Sequence, residues 1–185
     1  VPKERVCAVQ DGDRRTLGKR TFEFMHTPGH ALHHLCILDR DAAAVFSGDT
    51  FGVSYREFDN ANGEFVIATT TPTQFDPAQL HSSVDRILQA RPRNIYLTHY
   101  SRVTRIGRLG ADMHADIDRF AAIARDSADD ADPAAAIRGR MFEYLGERLA
   151  RHGYTGGETE MHRLLDTDVR LNADGLIAWL SRAAA

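Results

Sequence analysis

Three short pieces of this chain carry residue types that can do chemistry: His26-Thr27-Pro28-Gly29-His30, Ser47-Gly48-Asp49-Thr50 and Leu97-Thr98-His99-Tyr100. Imidazole and carboxylate donors without a thiolate suit a catalytic zinc, or iron or manganese, better than a closed structural zinc site. A carboxylate has two oxygens, so Asp49 can serve two ions at once. A cation in such a setting lowers the pKa of bound water towards about 7 and supplies a nucleophile at neutral pH. Taken singly, each piece is weak evidence. A histidine near a turn is commonly a hydrogen-bonded structural residue, and Ser-Gly-Asp-Thr can be a turn closed by the Asp49 carboxylate. What the three share is position, since each follows a short apolar run.

Those runs read as strands. Arg5 to Val9 and a segment ending near Gly18 are expected to form a hairpin across Asp11-Gly12-Asp13, and Arg20 to Met25 alternates with Phe22 and Phe24 on one face. Thr27-Pro28-Gly29 breaks that strand, Leu35 to Leu38 follows, and Ala43 to Phe46 returns after a turn at Asp39 to Asp41. Phe51 to Gln74 has no helical period and reads as an extended loop with one strand at Glu64 to Ala68. Asp76 as N-cap, Pro77 at the first helical position and Gln79 in a capping box predict a helix that buries Leu80, Val84, Ile87 and Leu88. Ile95 to Leu97 is a short buried strand that delivers His99 to its C-terminal edge, and a helix, loop and strand in this order belong to an α/β domain.

Further helices are expected along Leu109 to Ala124, from Asp132-Pro133 to Gly153, around Glu158 to Leu165, and from an Asn172 cap through Trp179. The acidic stretch Asp126 to Asp130 is the expected boundary between residues 1–127 and a helical extension over 128–185. Composition is that of a globular protein: 43% apolar and 26% charged over 185 residues. With 23 basic and 26 acidic residues, a net charge of -3 and no basic stripe, nucleic acid is not an expected partner. No apolar run approaches the roughly 20 residues needed to span a bilayer, so no membrane is expected either. Cys7 and Cys36 lack a Cys-x-x-Cys partner and read as buried reduced thiols, which favours the cytoplasm.

In this order, Thr27-Pro28-Gly29-His30, Ser47-Gly48-Asp49-Thr50 and Leu97-Thr98-His99 resemble the later motifs of the metallo-β-lactamase superfamily, over roughly Val6 to Phe120. The resemblance implies an αββα sandwich, of which this α/β (α+β) chain would supply one half plus the C-terminal helical extension. It implies two divalent metal ions, zinc first, with iron or manganese as alternatives. His30 would complete the first site, Asp49 would bridge and take part in catalysis, and His99 would be the last ligand of the second. The implied activity is hydrolysis, with a metal-activated water attacking an ester, thioester, lactone or amide carbonyl of a small molecule. An iron-dependent oxidoreductase of the sulfur dioxygenase type and a non-catalytic degenerate relative are the alternatives.

The superfamily's early motif, His-x-His-x-Asp-His, is absent from the 185 residues. The expectation is therefore a piece of a longer protein that binds metal weakly alone and associates with itself or with its own N-terminal half. His33 and His34 are read either as donors that orient ligands or as ordinary hydrogen-bonded residues. Tyr55 and Tyr100 are read as packing residues that could line the pocket. His26 precedes the turn without a ligand role, and His81, His114, His152 and His162 fall on expected helices with no role assigned.

Overall fold

The computed structural model describes residues 1–70 and 74–183. Six strands form the main sheet: β1 (Arg14–Leu17), β2 (Arg20–His26), β3 (Leu35–Asp39), β4 (Ala44–Gly48), β7 (Asn94–Leu97) and β8 (Arg102–Val103). They lie in the order β1-β2-β3-β4-β7-β8. A separate pair, β5 (Val53–Ser54) and β6 (Val66–Ile67), crosses the long segment after β4. Four helices follow: α1 (Pro77–Gln89), α2 (Ile106–Asp126), α3 (Pro133–His152) and α4 (Glu158–Ala183).

Directionality is what brings the chemistry together. β2, β3 and β4 are joined as antiparallel neighbours, and β4 pairs with β7 in parallel. The C-terminal ends of β2, β4 and β7 therefore open on the same edge of the sheet, and each is followed by one of the three motifs. The parallel step needs a crossover, and α1 supplies it. Asp76 caps α1 by accepting from the Gln79 backbone N–H at 2.9 Å, and the Gln79 amide returns a hydrogen bond to the same carboxylate at 3.0 Å.

The two faces of the sheet differ. Met25, Cys36, Leu38, Val45, Ile95 and Leu97 point towards the helices and are buried. On the other face the register aligns Phe24, Ile37, Phe46 and Tyr96 in one row across four strands. Phe46 and Tyr96 stack at 5.2 Å between centroids, yet remain 42% and 37% exposed. A row of this kind is an uncovered apolar layer rather than scattered surface hydrophobics.

One apolar cluster runs from Met25 and Val45 through Met113, Ile117 and Phe120 to Met141, Leu145, Leu165 and Leu176. Under it lies a buried ion pair. Arg148 on α3 donates through Nη1 to both Asp116 oxygens at 2.6 Å and through Nη2 to the Val66 carbonyl at 3.2 Å. Asp116 also accepts from Tyr144 Oη at 2.8 Å and from the Ala68 N–H at 3.1 Å. Burial pushes its carboxyl up to about 6, outweighing the pull of Arg148.

Three elements differ from the sequence expectation. Arg5 to Val9 is not a strand; Lys3–Arg5 is a short 3-10 turn and Val6 is exposed, without the buried face a strand there would need. The hairpin instead joins β1 to β2 across Gly18-Lys19, with Leu17 opposite Arg20. The two short C-terminal helices are one helix of 26 residues. Asn172, read as a cap, lies inside it and accepts from the Thr70 N–H at 2.6 Å, so its polarity ties α4 to the loop after β6. The expected strand at Glu64 to Ala68 shortens to Val66–Ile67. Cys7 is exposed and Cys36 buried, both free, so only the second behaves as the expected buried thiol; burial pushes it up to about 11. Among the described residues no helix is long and apolar enough to cross a membrane.

Candidate metal centre

The Asp49 carboxylate lies between two imidazoles. Its Oδ2 is 3.6 Å from His30 Nε2 and its Oδ1 is 3.5 Å from His99 Nε2. Each carboxylate oxygen thus faces a different histidine. Asp49 Oδ1 is buried and has no hydrogen-bond partner among the described residues.

The hydrogen bonds around these groups set their tautomers. Thr69 Oγ1 donates to the Asp49 carbonyl at 3.1 Å, so its oxygen is left to accept from His30 Nδ1 at 3.1 Å. His30 therefore carries its proton on Nδ1 and directs the Nε2 lone pair at Asp49. Burial also holds His30 below the usual histidine range, against the opposing pull of Asp49. A neutral ring with a lone pair aimed at a carboxylate is an unfavourable pair of acceptors unless a positive charge lies between them. That donor set, two imidazole nitrogens and a carboxylate, fits zinc, iron or manganese. Among the described residues no group of three or more His, Cys, Asp or Glu encloses an ion by itself, so the three form an open row rather than a closed cage.

His34 holds the loop that carries Asp49. Its Nε2 accepts from the Asp49 N–H at 3.0 Å, which leaves the proton on Nδ1, 2.8 Å from Thr50 Oγ1 and 2.9 Å from Thr27 Oγ1. Burial lowers its pKa and keeps it neutral, as this role requires. Gly48 makes room: at φ +52 it adopts a conformation disfavoured for other residues, and a Cβ there would meet His34 Nε2 at 2.3 Å. His33 is exposed. Of the two readings open for this pair, His34 has the orienting one, acting on the Asp49 backbone.

His30 sits four residues beyond β2, after a turn in which Gly29 approaches the Leu80 backbone so closely that a Cβ would lie 2.3 Å from it. The Asp76 N–H donates to the Gly29 carbonyl at 2.8 Å, fastening the turn to the start of α1. His99 follows β7 on a loop where Tyr100 and Ser101 both have positive φ, +68 and +86. Non-glycine residues rarely hold such angles, and the strained turn presents the His99 ring outward, 56% exposed.

A cleft of about 480 Å³ opens over the three residues. Val53, Tyr55, Thr69 and Tyr100 line one side; Leu164, Thr167, Asp168 and Leu171 of α4 line the other. Tyr55 and Tyr100 stack at 6.0 Å, so both border the cleft as well as packing. Burial raises the Asp168 carboxyl above the usual carboxylate range. Thr69 and Asp168 were not legible as site residues. Thr69 lies in a segment without periodicity, and Asp168 is one acidic residue among several on a helix whose orientation the sequence does not disclose. His26 bonds the Leu32 carbonyl at 2.7 Å, and His152 and His162 pack on Phe65 and Phe142 outside this cleft.

Known proteins bear on this geometry. The metallo-beta-lactamase superfamily model matches residues 8–99. A metallo-beta-lactamase fold-containing protein, ST1585 of Sulfurisphaera tokodaii, is 29% identical over 99 residues, which are 54% of this chain and 34% of that protein. The acyl-coenzyme A thioesterase MBLAC2 of Bos taurus is 46% identical over 44 residues, 24% of this chain and 16% of the relative. A beta-lactamase domain protein from Burkholderia ambifaria superposes with a TM-score of 0.60 at 18% identity, over 100% of this chain and 49% of the other. This chain therefore spans about half the length of that solved structure. With the matched stretch containing all three motifs and the fold shared over the whole chain, the protein belongs to the metallo-beta-lactamase superfamily.

Proposed function

We propose that this chain carries part of the active centre of a metal-dependent hydrolase acting on an ester, thioester, lactone or amide. The observation that carries the reading is the Asp49 carboxylate set between His30 and His99, one oxygen towards each Nε2 and one of them buried without a partner among the described residues. His30 and Asp49 would hold one divalent cation, and Asp49 and His99 a second. Such cations, when bound, activate water at neutral pH and polarise the carbonyl under attack.

The chain's own residues prepare this. Thr69 fixes the His30 tautomer, His34 fixes the Asp49 backbone, and Gly29 and Gly48 permit the two close approaches. Tyr55, Tyr100, Leu164 and Leu171 give the cleft apolar walls that exclude water from an acyl group, and Asp168 adds one polar contact. The short stretch of similarity to an acyl-coenzyme A thioesterase, 46% identical over 44 residues, favours acyl thioesters among the four classes. We further propose that a second β-layer, from the same protein or another copy, covers the Phe24, Ile37, Phe46 and Tyr96 row and completes the metal ligands.

The test is hydrolysis by the gene product that contains these residues, stripped by chelation and reloaded with zinc, iron or manganese. Acyl-coenzyme A thioesters, aryl esters, lactones and β-lactams form the panel. Metal-dependent turnover of one class, reduced at least about 100-fold in Asp49→Asn, is expected, in line with loss of charge stabilisation at a metal site. Turnover unaffected by chelation or by Asp49→Asn would overturn the reading.

A further inference from the structure

A second cluster of histidines lies on the helix layer, between α1 and α2. His81 Nδ1 and His114 Nδ1 are 2.6 Å apart, with the two rings nearly coplanar in orientation, 7° between planes. Each ring turns its other nitrogen to a carboxylate on the opposite helix. His81 Nε2 is 3.0 Å from Asp118, and His114 Nε2 is 3.1 Å from Asp85. The arrangement is reciprocal, because His81 and Asp85 are four apart on α1 and His114 and Asp118 are four apart on α2. Antiparallel helices then place each histidine beside the other's aspartate.

This wiring has an electrostatic consequence. Each Nε2–H donates to a carboxylate, which leaves a lone pair on both Nδ1 atoms. Two lone pairs cannot face each other at 2.6 Å without a positive charge between them. Two carboxylates behind the rings favour that charge further. A shared proton satisfies the geometry; so does a metal ion. Histidine ligands commonly donate their second nitrogen to a carboxylate in this way, which fixes the ring and raises its basicity.

We propose that His81 and His114 form a transition-metal site, binding one borderline divalent cation such as zinc, nickel or copper through their Nδ1 atoms. The ion takes the position between the two Nδ1 atoms. With Zn–N bonds of about 2.0–2.1 Å in a tetrahedral setting the nitrogens sit roughly 3.3 Å apart, so the pair opens by only about 0.7 Å. Water fills the remaining positions, since Asp85 and Asp118 stand behind the rings and not beside the ion. Both rings are partly exposed, at 28% and 27%, so an ion can reach them. The site ties together the crossover helix and its neighbour, away from the cleft of His30, Asp49 and His99.

The experiment is zinc titration of the chain at pH 7.5, followed by imidazole nitrogen NMR and by bound metal after equilibrium dialysis. Expected are a shift of both Nδ1 resonances of His81 and His114, and one bound equivalent lost in His81→Gln and in His114→Gln. Glutamine is a good helix former and these are surface positions, so both variants keep the fold. Asp118→Asn should weaken binding about 10- to 100-fold, and Asp49→Asn should leave this equivalent in place. Unmoved Nδ1 resonances, or equal stoichiometry and affinity in both glutamine variants, would overturn the proposal and leave a proton as the only occupant.

Discussion

Replacing Arg148 with alanine strips from the fully buried Asp116 its only buried counter-charge among the described residues, Arg148 itself being 8% exposed. Two hydrogen bonds at 2.6 Å to the carboxylate disappear, along with one to the Val66 carbonyl and the guanidinium placed 4.6 Å over the Phe65 ring. Tyr144 and the Ala68 N–H still donate, but neither brings charge. Breaking a buried pair by removing one partner costs about 3–5 kcal/mol, because an uncompensated charge stays inside. The effect has a pH signature. The Asp116 carboxyl is already raised to about 6 from 3.8, so the protonated form favours the fold, and its contribution declines as pH rises from about 3.8 to 6. Without Arg148 the carboxyl rises further, and that decline continues above pH 6. Urea unfolding of both proteins followed by circular dichroism should therefore give a difference that is largest at pH 8 and shrinks towards pH 5. Arg148→Met with Asp116→Leu should recover part of the loss. A pH-independent loss below about 1 kcal/mol would refute the reasoning, since it would mean that water screens the pair.

His30 and His34 are both lowered by burial, so each is neutral in the fold and more readily protonated when unfolded; stability should fall as pH drops below the ordinary histidine value of about 6.5, by up to about 1.4 kcal/mol per pH unit per group. Thermal midpoints between pH 7.5 and 5 check this, and His34→Gln should flatten part of the slope. Gly29→Ala places a Cβ 2.3 Å from the Leu80 backbone at φ +121, so it should destabilise by several kcal/mol, on the scale of severe backbone strain, and displace the His30 loop; chemical denaturation and His30 ring resonances report both. Phe46→Glu with Tyr96→Lys should abolish association of the chain without lowering its unfolding midpoint, because both rings are about two-fifths exposed; light scattering decides, and unchanged association would exclude that face as the contact surface.

Local signals carried much of the fold. The α1 start was legible because a cap, a proline and a glutamine occur together, and the structure uses all three. β2, β3 and β4 were legible from alternation and turns. The first hairpin was not, because Asp11-Gly12-Asp13 signals a turn locally, whereas β1, exposed along its whole length, turns into β2 across Gly18-Lys19. Asn172 misled for the opposite reason: its side chain serves a contact about a hundred residues away, which no window along the chain contains. At the site, His30, Asp49 and His99 were legible as motif residues, and parallel pairing of β4 with β7 explains why they meet. The part of His34 was left open because it depends on which atom its ring meets across a loop. The reciprocal His81 and His114 pair escaped notice because each histidine alone is unremarkable on an amphipathic helix.

In the proposed centre His30 and His99 would offer their Nε2 atoms to cations on either side of Asp49. Long-range nitrogen–proton NMR of the histidine rings during zinc titration measures this directly, ring by ring. The His30 and His99 Nε2 resonances should move, His30 should retain its Nδ1 proton on Thr69, and both responses should weaken in Asp49→Asn, while His34 keeps its Nε2 on the Asp49 N–H. Unmoved His30 and His99 rings at zinc concentrations that shift other histidines, or a zinc response at His34 Nε2 in their place, would contradict it.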